Sequence, residues 1–189
     1  MDPLAEKLPY VVTLLFAAIG WGVTHIVDRV LNSPIVEYRT EVVEGSDRTT
    51  RTFVARLRNM SRDRAYTNLT VEFLLPPSST GKFTTGTVDA KPPAAFGSRP
   101  PKMAGGSAKF DIPALFPSWE IALIANYTGD EIPELRLEKA NPAPRLVRPS
   151  LETFLVDHEV KIILGAIVLW AGLILFLVVT RPSRRQIDR

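Results

Sequence analysis

The chain has 189 residues, of which 46% are hydrophobic, and 23 lysines and arginines against 20 aspartates and glutamates give it a formal net charge of +3. That balance is too slight for a nucleic-acid-binding protein, and the length leaves roughly 130 residues, one ordinary domain, once two apolar end segments are set aside. Cysteine is absent, so no disulfide staples the fold and the domain must rely on its own core.

Residues 1–7 read as a short tail carrying Asp2, Glu6 and Lys7. The uncharged run from Leu8 to Val27 is about long enough to cross a bilayer as a helix at 1.5 Å per residue, which predicts a membrane helix over 8–30. Ala18-Ile19-Gly20 resembles the small-x-small site of a cleaved signal peptide. Asp2 and Glu6 nevertheless offset the basic Lys7, and the apolar run continues through Trp21, Val23 and Ile26, so an uncleaved anchor is expected. Asp28 and Arg29 mark the exit from the membrane, and Asn32-Ser33-Pro34 stops the helix.

Residues 34–148 read as a β domain. Ile35 to Val43 is rich in β-branched and aromatic residues and closes on a turn at Glu44-Gly45-Ser46-Asp47. Phe53, Ala55 and Leu57 alternate with Val54, Arg56 and Arg58, and Leu69, Val71, Phe73 and Leu75 alternate with Thr70 and Glu72. That period of two buries one face of each strand. A short strand is expected around Lys82 to Val88, followed by a long loop, KPPAAFGSRPPKMAGGS, in which the proline pairs forbid a central strand. Alternation returns at Ala108, Phe110 and Ile112, at Trp119, Ile121, Leu123, Ala125 and Tyr127, and at Leu135 and Leu137. Seven or so short strands with turns between them predict an immunoglobulin-like sandwich.

Residues 151–180 read as a linker, helical over Leu151 to Val160, and a second membrane helix over Ile162 to Thr180; residues 181–189 are a basic tail with Arg181, Arg184, Arg185 and Arg189. Four arginines directly after the second span place that end in the cytoplasm. Two spans then put the N-terminus there too and the domain on the far side. The expected fold class is thus a membrane protein with two transmembrane helices flanking an all-β domain, and the missing cysteines favour a bacterial inner membrane with the domain in the periplasm.

The stretches FVARLRNMSRDRAYTNLTVEFLLP and FDIPALFPSWEIALIANYTG resemble the immunoglobulin-like and fibronectin-III-like domains of bacterial membrane and surface proteins. The likeness lies in an Asn-x-Ser turn at Asn59, an Asn-x-x-Val start at Asn68, and an I-P-x-L-x-P corner at Ile112 to Pro117, where Pro117-Ser118 departs from the usual Pro-Gly. It covers Ile35 to Leu137 and implies the sandwich fold, with no particular activity.

Asn59, Asn68 and Asn126 each begin an Asn-x-Ser/Thr triplet, the acceptor pattern of N-glycosylation. Their places at strand ends favour turn hydrogen bonding instead. His25, with Asp28 three residues on, and His158, between Asp157 and Glu159, lie at the two membrane boundaries. They are the nearest the chain comes to a metal or pH-sensing site. Their spacing matches no recognised ligand motif, so headgroup-facing side chains are expected and no cofactor or metal. Ala18 and Gly22 on the first helix, and Gly165 and Gly172 on the second, put small residues on single faces, suited to sealing the two helices or docking another membrane subunit, while Trp170 sits deep in its span as a packing contact.

Neither span holds a deep ionisable residue, and no Cys nucleophile, HExxH, G-x-S-x-G, G-x-G-x-x-G or P-loop occurs. Arg56, Arg58, Arg62 and Arg64, then Arg145 and Arg148, are basic residues suited to an acidic partner, to headgroups or to guarding a strand edge. The sequence therefore predicts a non-enzymatic accessory or assembly subunit. Its expected partners are the bilayer and either an integral-membrane protein or further copies of itself. A ligand sensor whose spans oligomerise, and a cell-surface adhesion module, are the alternatives.

Overall fold

The computed structural model describes residues 3–45, 49–91 and 100–179. They fall into two compact units, Met1–Arg29 with Phe154–Arg189, and Val30–Thr153.

The first unit is made of helices. Helix α1 spans Pro3–Asn32 and α2 spans Leu151–Val179. Within them Pro9–Asn32 and Leu151–Phe176, 24 and 26 residues, are long and apolar enough to cross a membrane, and 6% and 0% of those stretches is buried. The linker expected at 151–160 is one continuous helix with the segment after it. A reciprocal cap starts it: Ser150 N donates to Thr153 Oγ1 at 2.9 Å and Thr153 N to Ser150 Oγ at 3.4 Å, which satisfies amides that a first turn leaves open. The arginines of the tail, Arg181, Arg184, Arg185 and Arg189, lie outside the described residues.

The second unit is a sandwich of nine strands among the described residues: β1 (Ile35–Glu44), β2 (Thr50–Asn59), β3 (Tyr66–Leu74), β4 (Phe83–Lys91), β5 (Lys102–Ala104), β6 (Ser107–Leu115), β7 (Glu120–Thr128), β8 (Glu134–Asn141) and β9 (Arg145–Val147). One sheet has the order β4-β7-β2-β1-β9 and the other β5-β6-β3-β8. Every pairing is antiparallel except β1 with β9, which run parallel with Ile35 opposite Arg145 and Glu37 opposite Val147.

The period-two residues meet between the sheets. Phe53, Ala55, Leu57, Ile121, Leu123, Ala125 and Tyr127 from one sheet and Val71, Phe73, Ala108, Phe110 and Ile112 from the other are fully buried in one cluster. Phe73 is its hub, edge-on to Phe53 at 4.8 Å and tilted against Phe110 at 4.9 Å, geometries in which aromatic quadrupoles attract. Two elements depart from the expected pattern. Part of the stretch read as a long loop is strand β5, an edge strand joined to β6 through Gly105, whose φ of 54° suits a residue without Cβ. Strand β9 was hidden because three residues beside prolines carry no alternation. Residues 92–99, the first part of that loop, lie outside the described residues.

Gly81 sits where the β3–β4 connection runs against the Thr128 carbonyl, so that a Cβ there would strike backbone rather than a movable side chain. Gly81→Ala is expected to destabilise the sandwich by about 1–3 kcal/mol, read as a lower unfolding midpoint of the detergent-solubilised chain. An unchanged midpoint would mean that this close approach does not exist.

Candidate functional site

The helical unit brings together a different set of small residues from the one the spacing suggested. Thr13, Phe16, Ala17 and Gly20 of α1 face Ile163, Ala166, Ile167 and Trp170 of α2 around an apolar groove of about 240 Å³. Trp170 is on this seam, and its indole Nε1 donates to Thr13 Oγ1 at 3.2 Å, while the Thr13 hydroxyl donates to the Pro9 carbonyl at 2.8 Å. Ala18, Gly165 and Gly172 are exposed away from it and Gly22 is half-buried. A Cβ added at Gly22, Gly165 or Gly172 would meet nothing within 4 Å. The signal for the seam was present as Thr13, Ala17 and Gly20, spaced four and three apart, but small residues occur on several faces and do not say which one closes.

The histidines each serve their own helix. His25 stacks on Trp21, ring centroids 5.3 Å apart. His158 stacks on Phe154 at 4.3 Å, with Nδ1 3.1 Å from the Phe154 carbonyl. Among the described residues no group of three or more His, Cys, Asp or Glu side chains is placed to hold a metal.

In the sandwich the densest polar network surrounds Asn59, which is 1% exposed. Its Nδ2 donates to the carbonyls of Arg64 at 2.7 Å and Leu115 at 2.9 Å, and its Oδ1 accepts from Ser61 N at 2.9 Å and Ser61 Oγ at 2.6 Å. The backbone joins in: Asn59 N donates to the Trp119 carbonyl and Ser118 N to the Asn59 carbonyl, both at 3.1 Å. One buried amide thus ties the β2–β3 loop to the β6–β7 turn. Asn126 lies on the outer face of β7, accepting from Thr52 Oγ1 at 2.7 Å and donating to Thr85 Oγ1 at 2.9 Å, a polar ladder across three strands. Asn68 is exposed on β3, with φ 52° where the pairing with β8 shifts register, a conformation asparagine tolerates.

The six singled-out arginines are not one patch. Arg56 points from the outer face of β2 to Glu120 at 3.6 Å, and Arg58 stands opposite Glu37 in the register. Arg62 and Arg64 belong to the β2–β3 loop. Arg145 starts β9, and Arg148 donates to Tyr38 Oη at 3.0 Å and lies over its ring. The other sheet's outer face is charged in both signs. Lys102 pairs with Asp111 at 3.1 Å, and Lys109 bridges Glu138 at 3.1 Å and Glu72 at 3.5 Å. The hydrogen bond from Lys109 to Glu138, aided by both carboxylates' charge, holds its ammonium pKa above the ordinary lysine value. Beside them an open hollow of about 320 Å³ is lined by Asn68, Thr70, Asp111, Pro113 and Lys139.

No family model matches this chain, and no curated protein matches it. Among solved structures it is similar to the chitin-binding domain of Chi18aC from Streptomyces coelicolor, at 17% identity over 60% of this chain and 96% of that one, with a TM-score of 0.39. The sandwich assignment rests on the sheet order itself.

Two outcomes check this geometry. Asn59→Ala removes the amide donor to the Leu115 carbonyl and the acceptor of Ser61, while Ser61 Oγ still donates to the Arg64 carbonyl at 2.8 Å, so it is expected to cost about 1–3 kcal/mol in unfolding free energy. Burial also pushes the Tyr66 and Tyr127 phenols above their ordinary value of 10.0, partly offset at Tyr66 by Ser61 and Arg64 and at Tyr127 by Arg51. The folded state then keeps protons that the unfolded chain releases. The stabilisation is full below the unfolded value and is lost as pH rises through the folded ones. Unfolding midpoints measured from about pH 8 to about pH 11 should fall above pH 10, and less steeply in Tyr66→Phe and Tyr127→Phe.

Proposed function

We propose that this chain is a non-enzymatic bacterial inner-membrane protein, a helical-hairpin anchor carrying a periplasmic immunoglobulin-like sandwich that contacts other proteins of a membrane complex. The observation that carries the reading is the pairing of two long, apolar, unburied helices with a single sandwich strung between them. Apolar surface of that extent is unfavourable in water, and lipid relieves it. Orientation follows from the arginines after the second helix, through the bias of basic residues to the cytoplasmic side.

The mechanism is positional. Two tethers fix the height and limit the rotation of the domain, so less freedom remains to be lost when it meets a membrane-bound partner. The exposed Ala18, Gly165 and Gly172 leave small-residue faces outside the hairpin seam, where a partner helix can approach closely. Chemistry is not asked of the chain: its sequence carries no nucleophile–base pair of a recognised catalytic pattern.

Purification in mild detergent followed by intact-complex mass spectrometry tests this. A stoichiometric second membrane subunit is expected, and it should be lost in Gly165→Leu/Gly172→Leu while the sandwich stays folded. A homogeneous oligomer of this chain alone would favour the sensor reading and count against an accessory subunit.

A further inference from the structure

The β6–β7 turn presents Phe116 to solvent beside Trp119, which is half-buried against the core. Phe116 is 44% exposed, and its ring meets Trp119 edge-on at 4.8 Å. Ser118 between them takes φ 61°, and Trp119 N donates to the Phe116 carbonyl at 3.1 Å. Since the turn is also pinned by both backbone bonds to Asn59, the exposed ring is held out and cannot fold back onto the core.

The same end of the sandwich receives the chain from α1. Arg62 N donates to the Leu31 carbonyl at 2.9 Å, Met60 N to Ile35 at 3.2 Å, and Arg145 N to Pro34 at 2.7 Å. The β2–β3 loop, the β6–β7 turn and the start of β9 are thereby gathered around Leu31–Ile35. Arg62, Arg64 and Arg145, all exposed, lie in those segments together with one acid, Asp63. The opposite end has Asp130, Glu131 and Glu134 around the β7–β8 connection, with the exposed aliphatic Ile132 among them and Asp130 paired with Arg51 at 3.2 Å, so its charge is the wrong sign for an anionic surface.

We infer that the end of the sandwich carrying the Phe116–Trp119 turn, with Arg62, Arg64 and Arg145 on that same end, is a docking surface for the headgroup layer of an anionic lipid bilayer. The inference rests on the reading that the helices span. On that reading the apolar run ends at Val27 and the loops begin around Pro34, so the tether is about 10 Å long at helical rise. That is on the order of the headgroup region itself, about 5–7 Å per leaflet. Whatever its tilt, this end of the domain stays within reach of the lipid surface. Aromatic side chains are favoured at that depth, and arginines near an anionic surface are drawn to it. An exposed aromatic and three arginines on the end where the chain enters the sandwich complement such a surface in both polarity and charge.

The test uses the full chain in vesicles of phosphatidylglycerol and phosphatidylcholine, one set brominated on the acyl chains near the headgroups to read Trp119 and a second brominated near the chain ends to read Trp170. Trp21→Phe/Trp170→Phe leaves Trp119 as the sole tryptophan, and Trp21→Phe/Trp119→Phe leaves Trp170 to report insertion. The expected result is quenching of both. Trp119 quenching should weaken when Arg64→Gln and Arg145→Gln are added, the ratio of docked to undocked domain falling about five-fold per arginine, and should weaken again in high salt. Quenching of Trp170 with Trp119 unaffected would overturn the docking and leave the spans standing, as would Trp119 quenching indifferent to both arginines and to salt. Quenching of neither would overturn the spans and the docking together.

Discussion

The parallel pairing of β1 with β9 is the constraint on which the rest depends. Parallel neighbours would carry entry and exit apart by a strand length, but β9 is three residues long, so the chain leaves at Val147 opposite Glu37, two residues from its entry at Ile35. Here Arg145 sits opposite Ile35 and donates to the Pro34 carbonyl, so the last strand is laid beside the first, three residues after Pro142. The chain reaches Ser150, the cap of α2, a few residues later. Both junctions therefore belong to one edge of one sheet, β9 being its outermost strand. The chain thus enters and leaves the sandwich at one end of it.

Around this closure the loops are organised by buried polar groups rather than by bulk. Asn59 satisfies its whole side-chain amide inside the protein, which is why a residue of a glycosylation-like triplet acts as a rivet between loop and turn. Unpaired in the interior, that amide would cost more than any one of its bonds contributes. The outer faces follow another logic. Arg56 with Glu120, Lys102 with Asp111 and Lys109 with Glu138 are exposed or half-exposed pairs, and Lys109 also covers the buried Glu72. Each contributes little to stability, but together they keep the sheets polar and their edges unattractive to other strands. Among the described residues the large apolar side chains left exposed are concentrated on the helices, with Val43, Phe116 and Ile132 on the sandwich.

The central strands were legible in the sequence because each is buried on one face over its whole length. The alternations of Phe53 to Leu57, Leu69 to Phe73, Ala108 to Ile112 and Ile121 to Tyr127 needed no partner to be read. Edge strands were not. Strand β5 has three residues between prolines and glycines, and β9 has three, with prolines on both sides; their pairing comes from neighbours, a tertiary fact with no local period. The same limit applies to the hairpin. Helical spacing showed that small residues recur, but Ala17, Gly20 and Ala166 line the groove while Ala18, Gly165 and Gly172 stay exposed, because in an all-apolar helix no polar face marks the outside. Trp170 was readable as a packing residue from its depth in the run, and its partner Thr13 was not.

A chain without cysteine makes the double tether directly measurable, since any single cysteine is unique. Asp2→Cys and Ser183→Cys mark the two tails and Ser78→Cys marks the exposed β3–β4 connection, for labelling of spheroplasts with a membrane-impermeant maleimide. The account predicts that the cysteine at position 78 is labelled from outside, whereas those at 2 and 183 are labelled only after permeabilisation. Labelling of positions 2 and 183 from opposite sides, or protection of position 78, would contradict it.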